Sequence, residues 1–510
     1  MKKHITASDL YNFKKCQYRP FMDFNGEQAE AIVIHPLVKL LWDAGVQYEN
    51  KVIEALKQDL QGKTFYTIDP ESPLSEELAT KTLEAMTTGF DYIYQGVLIA
   101  GNKAGRPDLL VKSPGKSIFG DYLYYPMDVK MARVEDAWDN GDEKLTQPQW
   151  WQLYFYGELL EKVQGVKPAF GYIYKTKSRK LRSDLSKIPA KYDRAMELLG
   201  SFLKGDPQDS EPAINSECKN CEWLKHCVPW AEERQDLSLL FWSGHAMKAG
   251  LKKLGINKIS DLLDKDATVL LSQVQQLKQE GYFWKTMPND LIGKIIRRAT
   301  VHKNQKPIIY EPIEFPESNK EIHYDIEDDP TQDFVYLHGL VLFEKGKEPV
   351  YHAFFADKFD DEQKIAKELF DFFKVHDGIP VYHYSSHEKT TLLRLTKKYS
   401  SLDAIVYERL FGAGGLAIDL YQIIQDKTDW PLTSYGIKSI GTYLGFKWVA
   451  HDAGGAASIV WMNDYLKGDQ QMKKKILKYN EDDCLATLFL KNKLIALQAD
   501  METLAPGCES

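Results

Sequence analysis

The sequence predicts an α/β protein in which two sheet-bearing domains flank a helical connector, and three features carry that expectation. Residues 105–130 hold two apolar runs of strand length, GRPDLLV and DYLYYPMDVK, followed by the helical stretch QPQWWQLYFYGELL at 147–160. Residues 321–345, EIHYDIEDDPTQDFVYLHGLVLFEK, are two more strand-like runs about a polar turn. Between these regions, from 231 to 310, amphipathic helical segments take over. At 510 residues the chain exceeds a single core. Its 44% hydrophobic and 27% charged residues are those of a folded globular protein. The expected domains are 1–230, 231–310 and 311–505.

Taken in order, residues 45–57 (GVQYENKVIEALK) read as a helix carrying Glu49. Asp108 leads off the first strand; Asp128 and Lys130 close the second, two apart and so on one face. Two carboxylates can hold a hard divalent cation through oxygen. A lysine beside them can orient water or offset phosphate charge. In the following helix Gln152 and Tyr156 are four apart and share a face. AFGYIYKT at 169–176 adds a strand. This order resembles the PD-(D/E)xK nuclease core of the RecB type, which has a restriction-endonuclease-like fold. The resemblance implies Mg²⁺ or Mn²⁺ held by Glu49, Asp108 and Asp128. Lys130 would position water, and Gln152 and Tyr156 would orient the substrate or the lysine.

Cys218, Cys221 and Cys227 form C-x2-C-x5-C, with Cys16 alone near the N-terminus and Cys484 and Cys508 left over. Such spacing in a cytoplasmic chain indicates metal ligation rather than disulfides. Four thiolates suit an iron–sulfur cluster or structural Zn²⁺, and three with His226 suit zinc. One early cysteine plus a late triplet resembles the iron–sulfur-stapled RecB-like nucleases, which implies a [4Fe-4S] cluster on Cys16, Cys218, Cys221 and Cys227. A crosslink from Cys16 to Cys218 closes about 200 residues, worth roughly 5 kcal/mol of chain entropy.

The opening segment, MKKHITASDLYNFKKC, has no signal-peptide run, and no stretch approaches a membrane span, so a cytoplasmic protein without membrane contact is expected. The net charge of −8 does not draw nucleic acid to the molecule as a whole. Local basic runs are candidates for that contact: KTKSRKLR at 175–182 and KIIRRATVHKNQK at 294–306. In the connector, residues 237–263 read as turn, Gly, helix, Gly-Ile, helix. That pattern resembles helix–hairpin–helix elements, whose backbone amides meet phosphate.

The last third carries a second acidic set. Asp325 and Glu327 share a strand face. IPVYHYSSHE at 379–388 is a strand and bend ending in Glu388, at the start of a helix. AIDLYQII contains Asp419, SYGIKSIGTYLGF follows at 434–446, and LKYNEDDCLATLFLKNKL at 477–494 is a helix with Tyr479 and Asp483 on one face. D-x-E, a middle acid and a late Y-x-x-x-D resemble the DEDD exonucleases of RNase H-like fold, tyrosine subtype. LKYNEDD and GIKS most resemble the YprB-type domain. The resemblance implies metal ligands Asp325, Glu327, Glu388 and Asp483, with Tyr479 positioning water. The middle motif departs from its usual aspartate in having Glu388, and Asp482 and Asp419 are next to the site or merely surface acids.

The domain order resembles a family of RecB-like nucleases, some of which carry a helicase. No G-x-x-x-x-G-K-[ST] motor motif is present, so unwinding would come from a partner such as a helicase or from an already frayed end. The function implied is metal-dependent phosphodiester hydrolysis, on DNA more than RNA, as an exonuclease on ends or single strands. The alternatives are a nucleic-acid-binding scaffold with inactive sites and an RNA-processing exonuclease.

Overall fold

The computed structural model describes residues 4–27, 36–59, 62–130, 146–175, 179–208, 210–280, 283, 286–449 and 455–504. The chain divides into two compact units. The first is Met1–Ile34, Val38–Ala213 and Glu217–Trp230; the second is His35–Leu37, Ile214–Ser216 and Ala231–Ser510.

The first unit opens with α1 (Ala7–Lys15), α2 (Arg19–Asn25), α3 (Pro36–Gln58), β1 (Phe65–Thr67), α4 (Glu76–Thr88) and β2 (Tyr92–Tyr94). A small hairpin, β3 (Leu98–Ala100) and β4 (Lys103–Gly105), precedes β5 (Leu109–Ser117) and β6 (Gly120–Val129). Then come α5 (Gln147–Gln164), β7 (Phe170–Lys175), β8 (Arg179–Asp184), α6 (Tyr192–Leu203) and α7 (Leu224–Glu233). Six strands form one mixed sheet in the order β1-β2-β5-β6-β7-β8, parallel at β1–β2 and β6–β7 and antiparallel elsewhere. Strand alternation sorts its residues. Ile93, Leu110, Tyr124 and Ile173 pack into the core with Trp151, Phe155 and Leu159 of α5, whereas Tyr94, Leu109, Val111 and Met127 meet Ile53 of α3. By the same period Asp128 falls on the face of Tyr124, toward α5. That helix starts with a Thr146–Gln149 capping box and stops at Gly165, whose φ of 76° suits glycine.

The second unit includes the connector helices α8 (His245–Lys253), α9 (Ala267–Gln279) and α10 (Leu291–Asn304). Where a second hairpin helix is expected after Gly255-Ile256, there is a single 3-10 turn at Ile259–Leu262. Asp266 then restarts the chain as the cap of α9, accepting hydrogen bonds from the Thr268 and Val269 amides. The strands β9 (Ile308–Ile309), β10 (Lys320–Asp329), β11 (Phe334–Glu344) and β12 (Val350–Phe355) lead to α11 (Glu362–Val375). β13 (Val381–His383), α12 (His387–Lys398), α13 (Ala404–Phe411), β14 (Ala417–Asp419), α14 (Leu420–Lys427) and β15 (Thr428–Asp429) follow. α15 (Ile437–Tyr443), α16 (Gly455–Leu466) and α17 (Gln471–Leu504) complete it.

The five-stranded sheet runs β12-β11-β10-β13-β14, with the first three strands antiparallel and the last two parallel to β10. Ile322, Tyr324 and Ile326 of β10 pack with Leu369 and Phe370 of α11, Leu392 of α12 and Val406 of α13. Asp325 and Glu327 therefore turn to the opposite face, where Val341 of β11 meets Cys484 and Leu488 of α17. The antiparallel register slips between Glu327 and Asp328, ending the regular alternation just past the acidic pair. No helix among the described residues is long and apolar enough to cross a membrane.

Candidate active sites

In the first unit, the end of β6 and the residue before β5 interlock. The Asp108 amide donates to Asp128 Oδ1 at 3.1 Å, and Asp108 Oδ2 accepts from the Val129 amide at 2.7 Å. Asp128 is fully buried, and Lys130 Nζ stands 3.1 Å from its Oδ2 and 3.9 Å from Asp108 Oδ2. Glu49 on α3 reaches this pair through a residue absent from the sequence-based set. Gln95 Nε2 donates to Glu49 Oε1 at 2.7 Å and sits 3.4 Å from Asp108 Oδ1. Gln95 holds a left-handed φ of 56°, which turns the chain directly after β2. Gln152 Nε2 donates to the Tyr156 hydroxyl at 3.2 Å, which in turn donates to the Arg106 carbonyl at 3.3 Å. Burial, then Asp128, pushes the Asp108 carboxyl well above its usual range, against the pull of Lys130. Burial alone would lower Lys130, but Asp128 and Asp108 outweigh it and raise the ammonium instead. Tyr156 is raised by burial and then by Asp128.

Cys16 caps α1, Cys218 lies in the 3-10 turn Ser216–Asn220, Cys221 follows it, and Cys227 lies in α7. The Cys227 thiol is pushed up to about 12 by burial, then by Cys16, Cys221 and Cys218 around it. The same two segments are tied by Trp223 Nε1 donating to Asp23 Oδ1 at 2.7 Å and by Lys15 with Glu217 at 3.0 Å. Among the described residues no three cysteine sulfurs lie within 4.8 Å of one another. Cys508 and residues 176–178 of the first basic run lie outside the described residues.

The second basic run forms α10 and is largely committed to packing. Arg298, 3% exposed, and Arg297 both pair with the buried Asp429, at 2.7 and 3.0 Å, and Lys294 pairs with Asp290 at 3.0 Å.

In the second unit, β10 and α17 bring Asp325, Glu327 and Asp483 together, with one carboxylate oxygen from each within 4.8 Å of the others. Asn480 Nδ2 donates to Asp325 Oδ2 at 2.8 Å, and Trp448 Nε1 donates to Asp483 Oδ1 at 2.6 Å. Asp325 and Glu327 are raised well above the carboxylate range by burial and then by Asp483. Asp483 is pushed up to about 6 by burial, with Lys438 pulling the other way. Tyr479 lies buried one helical turn before Asp483, and Lys438 Nζ stands 4.3 Å from the centre of its ring. Burial, then Asp483, raises the Tyr479 hydroxyl.

Glu388 lies outside the trio but close enough for its charge to raise Asp325. It is 3% exposed, and its Oε2 has no hydrogen bond and faces His383 Nδ1 at 3.4 Å. The two neighbouring acids hold backbone: Asp419 Oδ1 accepts from the amides of Ser385 and Tyr421, and Asp482 Oδ2 from that of Val449. Gln95, Trp448, Lys438 and Asn480 went unselected in the sequence. Asn480 and Lys438 lie inside the KYNEDD and GIKS segments, but nothing local marks Gln95 or Trp448.

Three largely desolvated carboxylates with converging oxygens cannot all ionise without a counter-cation. The donor set is hard oxygen, which fits Mg²⁺ or Mn²⁺. Residues 322–495 match RNase_H_2, a family model of the RNase_H superfamily. None of the curated proteins compared with the chain matches it. The second unit thus contains an RNase H-like domain, whose β12-β11-β10-β13-β14 sheet fits that fold and which implies a nucleic-acid substrate.

Proposed function

We propose that this protein is a divalent-metal-dependent nuclease that hydrolyses phosphodiester bonds in DNA, on ends or single strands, through two active sites. The observation that carries this reading is the convergence of Asp325, Glu327 and Asp483 within an RNase H-superfamily domain. Those three, with Glu388 as a fourth carboxylate, would hold Mg²⁺ or Mn²⁺. A metal held there would supply polarisation of the scissile phosphate and easier ionisation of water. Tyr479, buried against Asp483, orients the attacking water; this tyrosine and the late acid give the domain its DEDD, YprB-like character.

The first unit is read as a RecB-like PD-(D/E)xK nuclease. Support comes from the interlocked Asp108 and Asp128, from Lys130 beside both, and from Glu49 drawn to them by Gln95. Lys130 positions water, and the hydrogen-bonded Gln152–Tyr156 pair orients the substrate or the lysine. Cys16, Cys218, Cys221 and Cys227 are read, from their spacing, as the ligands of a [4Fe-4S] cluster, with structural Zn²⁺ as the alternative. Unwinding of duplex substrate comes from a helicase partner.

The test is a Mg²⁺/Mn²⁺ assay on end-labelled single- and double-stranded DNA and RNA with Asp128→Asn, Asp483→Asn and the double variant. Each single variant is expected to lose one product pattern by roughly 10³-fold, about 4 kcal/mol of transition-state stabilisation, and the double variant to lose both. A double variant that cuts like the parent sinks the nuclease reading in favour of a binding scaffold.

A further inference from the structure

Asn480 on α17 is fully buried, and a buried amide needs partners for both of its ends. Its Oδ1 accepts from the Tyr351 hydroxyl of β12 at 2.8 Å, and its Nδ2 donates to Asp325 Oδ2 at 2.8 Å. The amide can take only this orientation while Asp325 is ionised, because a carboxylate accepts and cannot donate. The space it fills is built into the sheet. Gly339 of β11 stands directly opposite Asp325 in the register. A Cβ there would come within 1.5 Å of Asn480 Oδ1 and 2.9 Å of the Tyr351 hydroxyl. Glycine at that point serves close approach rather than backbone conformation.

We propose that Asn480 is a positioning residue of the second acidic site. The Tyr351–Asn480 relay, seated over Gly339, sets the orientation in which Asp325 meets Glu327 and Asp483. A side chain that only filled the core would have no reason to spend its one donor group on a member of the acidic trio. The proposal rests on the reading of that trio as a metal centre. Residues that orient metal ligands in this way typically govern metal affinity by 10- to 100-fold.

Mn²⁺ binding to the full chain, followed by electron paramagnetic resonance, tests it, with Asp483→Asn identifying the second site's share of the signal. Asn480→Ala is expected to weaken that share by about 10- to 100-fold. Tyr351→Phe, which keeps the ring and the packing, produces a smaller loss. The Asn480→Ala/Tyr351→Phe double variant is no weaker than Asn480→Ala alone, because the two residues act in series. Should Asn480→Ala fail to fold, Tyr351→Phe decides alone. Parent-like Mn²⁺ affinity in the folded single variants overturns the proposal. Parent-like binding by Asp483→Asn instead removes the metal centre itself, an outcome told apart because Asn480 is untouched.

Discussion

The two acidic sites solve the same electrostatic problem in different ways. In the first, buried Asp128 has its own cation, Lys130 at 3.1 Å, on the same strand end. In the second, three carboxylates converge and are held by the neutral donors Asn480 and Trp448, and Lys438, over the Tyr479 ring, is shared among them. An ion pair compensates charge, whereas a hydrogen-bond shell orients charge and leaves most of it uncompensated. The first site should therefore be built largely without metal, and the second should depend on metal for part of its stability.

The largest expected effect tests whether the first unit is stapled by more than that ion pair. Anaerobically purified protein should be brown, absorbing broadly near roughly 400 nm, as cysteine-ligated clusters do. Cys16→Ser or Cys221→Ser should bleach it and cost the first unit up to roughly 5 kcal/mol, judged from the entropy of closing so long a loop. Melting of the second unit should not move. Colourless protein with stoichiometric zinc would replace the cluster with a zinc site.

Next in size is the ion pair. Lys130→Met leaves a fully buried carboxylate without its partner, a change that typically costs about 3–5 kcal/mol. Lys438→Met removes a half-buried lysine that stands over the Tyr479 ring and pulls Asp483 toward ionisation, and should cost less than the loss at Lys130. Urea unfolding of the two variants measures both. Equal losses would end the contrast between the sites.

The strand-borne part of each site was legible in sequence because the two-residue period puts Asp128 with Lys130 and Asp325 with Glu327 whatever the rest of the fold does. The helical spacing of Tyr479 and Asp483 was legible in the same way. What stayed hidden depends on approach between distant segments. The Asn480 slot needs Gly339, which lies on a strand far back along the chain, and the Glu49 contact needs the left-handed turn at Gln95. In the basic run at 294–306 the partner of Arg297 and Arg298, Asp429, was hidden for the same reason, because no local pattern reveals it. The expected second hairpin helix gave way to a cap, Asp266, whose preference for starting a helix outweighed the continuity of the apolar pattern.

The metal dependence of the second unit should appear as a pH effect. Burial, against the pull of Lys438, pushes folded Asp483 up to about 6 from an ordinary 3.8. A raised carboxyl holds its proton more tightly in the folded state. Its contribution is therefore complete below about 4 and is lost as pH rises through about 6. Metal-free protein should melt at falling temperature across that window, and Mg²⁺ at about 100 times its Kd should restore about 2.7 kcal/mol above it. Asp483→Asn should flatten the pH dependence and remove the Mg²⁺ effect together. A metal-free melting temperature that rises between pH 4 and 6 would contradict an uncompensated trio.

The smallest expected effect sharpens the comparison within the second site, at Glu388. Its position is set by Ser385, whose φ of 113° turns the chain while its amide is held by Asp419, so the start of α12 has little freedom to move. Its unpartnered Oε2 and the 3.4 Å approach of His383 place it beside the trio rather than within it. Glu388→Gln keeps the shape and deletes the charge that raises Asp325. The Asp325 carboxyl should then ionise more readily, shifting the acid limb of the rate profile to lower pH. Loss of this outlying fourth ligand should lower the rate at the optimum by only about tenfold, far less than loss of a member of the trio. A rate loss matching that of Asp483→Asn, with no shift in the acid limb, would instead make Glu388 a ligand of the same rank as the trio. Its longer side chain would then have to swing away from His383 to reach the metal.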